Sequence, residues 1–332
     1  MSRPVEIGGA GLAELTCARL LAGRGHRVRL PPPGPGAAGA GATGARPLLL
    51  AGPALELLDS LWGPGLLDGT WDVTHRQVRW GDGPPTRFAQ AGRVVDGAEV
   101  AVRMRERLAE HGMDEGRTDP PEGPPGWVVT ARAVPERAAG RRRLLAGTAP
   151  LLPGADERTA VLGTAESGWA QLTPLGRGAA LVQAMVPGPV GDPVTLLARL
   201  AAETGLGALL RHPPRAAAAV PAAPLLHPAP ATAPAEDAPG RLLVGAGAIR
   251  YDPLSGTGTA QALRTGILAA AVIDAAVRGT AAPRALCAHY AARLRAAYVE
   301  HQRSCARLYG SAFAGPAWSD ELDGARNAVA VG

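Results

Sequence analysis

The sequence predicts an α/β fold: a nucleotide-binding type of sheet covered by helices, with a smaller mixed sheet inserted into it. Three observations carry that prediction. Strand-like and helix-like stretches alternate along the chain, the pattern of helices packed on a mostly parallel sheet. The chain opens with a short strand, a glycine-rich turn and an apolar helix between Val5 and Leu21. A second strand, turn and buried helix lie between Arg241 and Gly279, where Leu242 to Val244 form an apolar run ended by glycines.

In the opening unit, Val5-Glu6-Ile7 reads as the strand, and Gly8-Gly9-Ala10-Gly11-Leu12-Ala13-Glu14 enters a helix through Leu15, Cys17, Leu20 and Leu21. A second strand begins after Gly25-His26. Gly9 and Gly11 match the first two glycines of the dinucleotide fingerprint, whose third position is Glu14 here. A carboxylate at a helix start is itself electrostatically favourable, so Glu14 can stabilise an empty helix end. Such folds end the second strand on an acidic residue for the ribose, and here Pro32 stands at about that place. Ala37 to Ala45 read as a loop, and the leucines between Arg46 and Leu67 predict a helix.

From Trp71 to Phe88 the pattern alternates around Gly81-Asp82-Gly83, which predicts a β-hairpin. His75 lies in it with no visible partner carboxylate and reads as a packing or surface residue rather than a base. Val100 to His111 predict an amphipathic helix and Gly126 to Val134 a strand; Arg141 to Arg143 read as a solvated turn in preference to an anion site. A helix follows over 194–210, then a proline- and alanine-rich loop or edge over 212–240. In the third unit Asp252-Pro253 and Ser255-Gly256 make a tight turn, and Thr257 or Thr259 can cap the helix beyond it. Glycines at 256 and 258 let something flat lie against the backbone, near helix amides that favour negative charge. Pro283 to Tyr309 predict a long helix with a buried stripe at Leu286, Tyr290, Leu294, Ala297, His301, Cys305 and Leu308, and the tail beyond Trp318 is expected to fray.

The string Asp252-Pro253-Leu254-Ser255-Gly256-Thr257-Gly258 resembles the C-terminal signature of the FAD-dependent monooxygenase and flavin halogenase family. There a Gly-Asp strand end precedes this loop, and the loop and helix start lie by the flavin pyrimidine edge; Ala246 takes the aspartate's place here. Aligned on Gly140-Arg141, the family's Asp-Ala-Thr-Gly-Arg string has Arg137 for its aspartate and Ala139 for its threonine. Gly168-Trp169-Ala170-Gln171-Leu172-Thr173-Pro174 stands where the halogenases carry Trp-x-Trp-x-Ile-Pro, with Gln171 in place of the second tryptophan. The chain has no lysine, the residue those halogenases use, so halogenation by that route is excluded. The variant looks closer to the flavoproteins that oxidise tryptophan in a partner protein during quinone cofactor building.

The resemblance implies a Rossmann-like FAD-binding fold with a mixed-sheet substrate lobe and a C-terminal helix. It places the FAD-binding part at 1–70, 95–165 and 240–280, the substrate lobe at 71–94 and 166–239, and the C-terminal helix and tail at 281–332. It implies FAD as cofactor, held by Gly9, Gly11, Arg250, Asp252, Pro253, Leu254, Ser255, Gly256, Thr257 and Gly258, with Trp169 and Pro174 bordering a substrate. Four positions that should serve the nucleotide depart together: Glu14, Pro32, Arg137 and Ala246. The function expected is an FAD-dependent monooxygenase or oxidase acting on an aromatic or peptide-borne substrate, because the ring-facing loop is kept; the alternative is a non-catalytic homologue acting as a scaffold or partner subunit. A dehydrogenase using free nicotinamide meets the same altered sites. No catalytic residue stands out.

Composition narrows the partners. A formal charge of +5 permits an acidic partner, but no basic patch with interleaved aromatics points to nucleic acid. Cys17, Cys287 and Cys305 have neither disulfide nor metal-ligand spacing, and with no leader in view the expectation is a cytoplasmic chain. Arg264 and Asp274 interrupt the most apolar helix, so no membrane span is expected. The expected partners are a small-molecule or peptide substrate and a second protein.

Overall fold

The computed structural model describes residues 3–31, 47–110, 124–132, 138 and 140–330. The predicted positions Pro32, Arg137 and Ala139 lie outside them. The first unit is β1 (Val5–Ile7), α1 (Leu12–Ala22) and β2 (Val28–Arg29). Where a helix is expected from Arg46 to Leu67, the chain forms β3 (Pro47–Ala51) and only then α2 (Pro53–Trp62). Gly52, at φ 47°, breaks the run and Pro53 starts the helix at its first position, so local turn chemistry overrides the leucine pattern. The predicted hairpin is β4 (Trp71–Arg79) and β5 (Thr86–Asp96), followed by α3 (Gly97–Glu110) and β6 (Trp127–Thr130).

Four strands come next: β7 (Arg143–Pro150), β8 (Thr159–Ala165), β9 (Gly168–Gly176) and β10 (Ala179–Val186). After α4 (Pro193–Glu203) the proline-rich stretch supplies short strands β11 (Ala218–Pro221), β12 (Leu225–Leu226) and β13 (Ala231–Thr232). The third unit is β14 (Gly240–Leu243), the single-turn α5 (Gly245–Ala248), β15 (Ile249–Arg250) and α6 (Gly258–Val277). The chain closes with α7 (Pro283–Gly310) and α8 (Pro316–Ala330).

Two sheets organise these elements. A five-stranded sheet runs β13-β14-β6-β1-β2, parallel except for its edge strand β13. Helices α1 and α6 pack so closely beside it that a Cβ at Gly266 would collide with the backbone carbonyl of Ala13. The eight-stranded sheet runs β11-β7-β10-β9-β8-β4-β5-β3, antiparallel except for the β4–β8 pair. Strands β3, β7 and β8, whose residues fall within the ranges expected for the FAD-binding part, lie in this sheet. Hydrogen-bond register decides this: β7 pairs with β10 over Arg143 to Pro150, and β3 pairs with β5 over its whole length.

The sheet's two faces differ in use. On one, Ala170, Leu172, Val182 and Ala184 pack on Leu197 and Leu200 of α4. On the other, Leu162, Trp169 and Met185 pack on Cys305 and Tyr309 of α7 and Trp318 of α8. The expected fraying beyond Trp318 does not occur: α8 buries Trp318 and Leu322, and the Trp318 ring stacks on Tyr309 at 4.8 Å and on Phe313 at 4.3 Å. Aromatic burial holds this end helical although the tail is otherwise polar. Helix α6 is long and apolar enough to cross a membrane by length and composition alone, a test that a buried core helix also passes. In this fold half of its most apolar stretch is core, and Asp274 is tied to His26 and Arg278 at 2.7 Å each.

Candidate functional site

Ligands of parallel α/β sheets bind outside the carboxyl ends of the strands, where the first strand turns into its helix. In this chain that place is filled from within. The Glu14 side chain, in the first turn of α1, folds back over the glycine loop. Its Oε2 accepts from the Gly11 amide at 2.9 Å, and its Oε1 accepts from the Ala131 amide, just past β6, at 2.8 Å. A Cβ at Gly9 would collide with this carboxylate. The glycines that let a pyrophosphate approach the backbone elsewhere make room for Glu14 here. The side chain is 3% exposed and satisfies a helix-start donor in the manner of a capping box.

The cradle is closed from the other side too. Gly8 donates to the Val129 carbonyl at 2.7 Å, and a Cβ on Gly247 would collide with the Ala131 carbonyl, so the ends of β1, β6 and β14 meet backbone to backbone. Ala246, which replaces the family's aspartate, is exposed and offers no side-chain acceptor. A diphosphate would have to displace two hydrogen bonds to a charged acceptor, each worth about 1.5–3 kcal/mol, and face a like charge. The residues present therefore do not fit FAD bound through its pyrophosphate at this loop.

The loop at 252–258 divides into two parts. Asp252 does not face a ligand cavity: it is 1% exposed and anchors a polar network inside the protein. Its Oδ1 accepts from the Leu254 amide at 2.9 Å and from the Tyr309 hydroxyl at 2.9 Å, while Oδ2 lies 3.1 Å from Nε of Arg142. Tyr309 in turn accepts from the Trp169 indole N–H at 3.0 Å. Arg142, read from the sequence as part of a solvated turn, is 1% exposed and also lies 3.4 Å from Glu321 of α8. Its neighbour Arg141 keeps the exposed position and contributes its amide to Glu321 at 2.5 Å. One guanidinium thus serves two buried carboxylates. Burial pushes both Asp252 and Glu321 above the ordinary carboxylate range, opposed by Arg142 and by the N–H and O–H donors.

His301 completes the network. Its Nε2 accepts from the Asp252 amide at 2.8 Å, which puts the ring proton on Nδ1, and the ring stacks on Tyr251 at 4.0 Å. Burial, aided by Arg142, lowers its pKa to about 4, so the imidazole is neutral at pH 7. Arg250 points elsewhere, donating through Nε and a terminal nitrogen to the Ala223 carbonyl at 3.2 and 3.1 Å. Leu254 joins the apolar cluster under α7.

The rest of the loop does line a cavity. Pro253, Ser255, Gly256, Thr257, Gly258 and Thr259 border a space of about 280 Å³ whose far wall includes Trp169 and Gln171 of β9, Gln183 of β10 and Arg76 of β4. The sequence pairs Trp169 with Pro174 as substrate neighbours, but they are five residues apart on one strand and point to opposite faces. Pro174 is buried toward the α4 side, and the inward neighbour of Trp169 is Gln171. Arg76, Gln183 and Gln171 carried no sequence signal beyond Gln171's place in the tryptophan string. A larger hollow of about 760 Å³ lies between α4 and the start of α8; of its charged lining residues Glu166, Arg199 and Glu203, the last two pair with each other.

The fold is that of the FAD-dependent monooxygenases and flavin halogenases. The peptidyl tryptophan dihydroxylase QhpG, essential for tryptophylquinone cofactor biogenesis, superposes with a TM-score of 0.76 at 21% identity, covering 97% of this chain and 79% of that one. The flavin-dependent halogenase CmlS gives 0.74 at 17% identity, with 97% and 68% covered. PqsL, a probable FAD-dependent monooxygenase from Pseudomonas aeruginosa, gives 0.63 at 18% identity, with 99% of both chains covered. No protein-family model and no curated protein matches the sequence.

Proposed function

We propose that this chain is a binding protein built on the flavin-monooxygenase fold, in which the usual FAD cradle has been exchanged for an internal carboxylate and the inter-sheet cavity is kept. One observation carries the reading: both oxygens of Glu14 are spent on the Gly11 and Ala131 amides, the donors at the glycine turn and the end of β6. The closed approach of Gly247 to Ala131 and the exposed Ala246 support it. The three free cysteines are all buried, which suits a reducing compartment such as the cytoplasm.

A second reading is favoured by the shared cavity, where the loop residues Ser255 to Gly258 and Trp169 face one space. On that reading the chain is an FAD-dependent oxidoreductase acting on an aromatic or peptide-borne substrate, with Glu14 swung out of the cradle. The absorption spectrum separates the two. The binding-protein reading expects protein without flavin absorbance as purified, and none retained after incubation with excess FAD and gel filtration. Stoichiometric flavin in either sample refutes it and leaves the oxidoreductase.

A further inference from the structure

Among the described residues Arg76 is the only charged one bordering the cavity, and no aspartate or glutamate lines it. One of its terminal nitrogens donates to Oε1 of Gln171 at 3.1 Å, and Gln171 is held in turn by the hydroxyl of Thr173 at 3.0 Å. The Arg76 Nε is buried and has no hydrogen-bond partner. Among the described residues no carboxylate lies within ion-pair distance of Arg76, unlike Arg142 or Arg87. A half-buried guanidinium without a counter-charge is costly, and the described residues supply none.

The surroundings define what could supply it. On the same cavity, α6 begins at Gly258 with no side-chain cap, and the Thr257 hydroxyl is bonded to Ser255 at 3.0 Å. Its first-turn amides add positive potential at the same cavity. The remaining wall is apolar at Leu48, Leu49, Trp169 and Pro253, with amide groups at Gln90 and Gln183. A space of about 280 Å³ is near the lower limit of small-molecule sites, room for a ligand of one or two rings.

We infer that the cavity binds a small aromatic monocarboxylate, its carboxylate against Arg76 and its ring between Trp169 and the loop at Pro253 to Gly258. A single guanidinium flanked by neutral amides matches one planar carboxylate by a forked pair of N–H donors. The inference rests on the proposed function, in that the cavity is free for a ligand other than FAD.

The test is calorimetric titration of the whole chain at low ionic strength with benzoate, its neutral isostere benzamide, and inorganic phosphate. Benzoate is expected to bind at least about tenfold more tightly than benzamide, and more tightly than phosphate. Arg76→Gln should abolish the preference for benzoate while the circular dichroism spectrum and Tm of the free protein hold or rise, since an unpaired buried charge is removed. Arg76→Lys should keep a reduced preference. Equal binding of benzoate and benzamide, undetectable benzoate binding, phosphate binding as tightly as benzoate, or an Arg76→Gln variant that still prefers benzoate would each overturn the assignment. A parallel FAD titration tells the failures apart, because FAD binding by the wild type counts against the proposed function, whereas the Arg76 assignment stands or falls on the benzoate arms.

Discussion

Replacing Asp252 by asparagine removes one charge from the buried network and leaves its shape intact. The amide oxygen can still accept from the Leu254 amide and the Tyr309 hydroxyl, each 2.9 Å from Oδ1 in the wild type. What is lost is the contact of Oδ2 with Arg142 at 3.1 Å, between side chains that are 0% and 1% exposed. Breaking a buried pair from one side costs about 3–5 kcal/mol, because the remaining charge keeps its desolvation penalty. Glu321 remains 3.4 Å from Arg142 and shares that charge, so the lower end, about 3 kcal/mol, is expected. Removing both partners in Asp252→Asn, Arg142→Met should cost less than the sum of the two single changes, with a coupling of at least about 1 kcal/mol. Urea unfolding followed by circular dichroism and tryptophan fluorescence measures all four corners of the cycle. Additive single effects, or a loss below about 1 kcal/mol for Asp252→Asn, would refute the argument that the pair is a closed buried ion pair.

Two further predictions follow from α7 and α8. His301 has a folded pKa of about 4 against 6.5 for the free side chain, so below pH 6.5 the unfolded chain binds the extra proton and stability falls as pH drops toward 4. That window of about 2.5 units corresponds to about 3 kcal/mol. Asp252 and Glu321, with raised pKa values, act in the opposite sense, since protonating them on acidification favours the folded state. The measurement is therefore the difference in unfolding free energy between wild type and His301→Gln from pH 7 to 4; a pH-independent difference contradicts the placement of a neutral imidazole. Trp318→Ala empties a side chain that is 1% exposed and stacked on two rings, and should cost about 3–5 kcal/mol in the same urea assay. A loss under 1 kcal/mol would mean that the tail frays after all.

How far the sequence reveals the fold depends on whether a feature is local. The units around Gly9 and around Gly256 are readable because strand, turn and helix signals succeed one another within a few residues. The long helix α7 shows its buried stripe at three- and four-residue steps, although Leu308, included in that stripe, is 43% exposed and Tyr309 takes the inward place. Sheet membership is not local: the partners of β7 and β8 lie in β10, β9 and β4, and no short-range pattern names them.

The site divides in the same way. Glu14 is visible as an anomaly in the fingerprint, and a carboxylate at a helix start has an evident electrostatic use. Arg142 is not legible, since three consecutive arginines look like a solvated turn. Its burial depends on two carboxylates 110 and 179 residues away along the chain, at Asp252 and Glu321. Asp252 shows the converse failure, where a residue read as facing the cofactor is turned inward by Arg142 and Tyr309. Arg76 became a candidate only when β4, β9 and β10 were seen side by side.

The central claim is that Glu14 occupies the place of the diphosphate, and the most direct test is calorimetric titration of wild type and Glu14→Gly with FAD under the same conditions. The account predicts no binding by the wild type at micromolar FAD. In Glu14→Gly the Gly11 and Ala131 amides are freed and a third fingerprint glycine is created, so FAD binding and an FAD-dependent rise in Tm should appear. Wild-type protein that binds FAD at micromolar concentration or tighter, with Glu14→Gly no better, would contradict it.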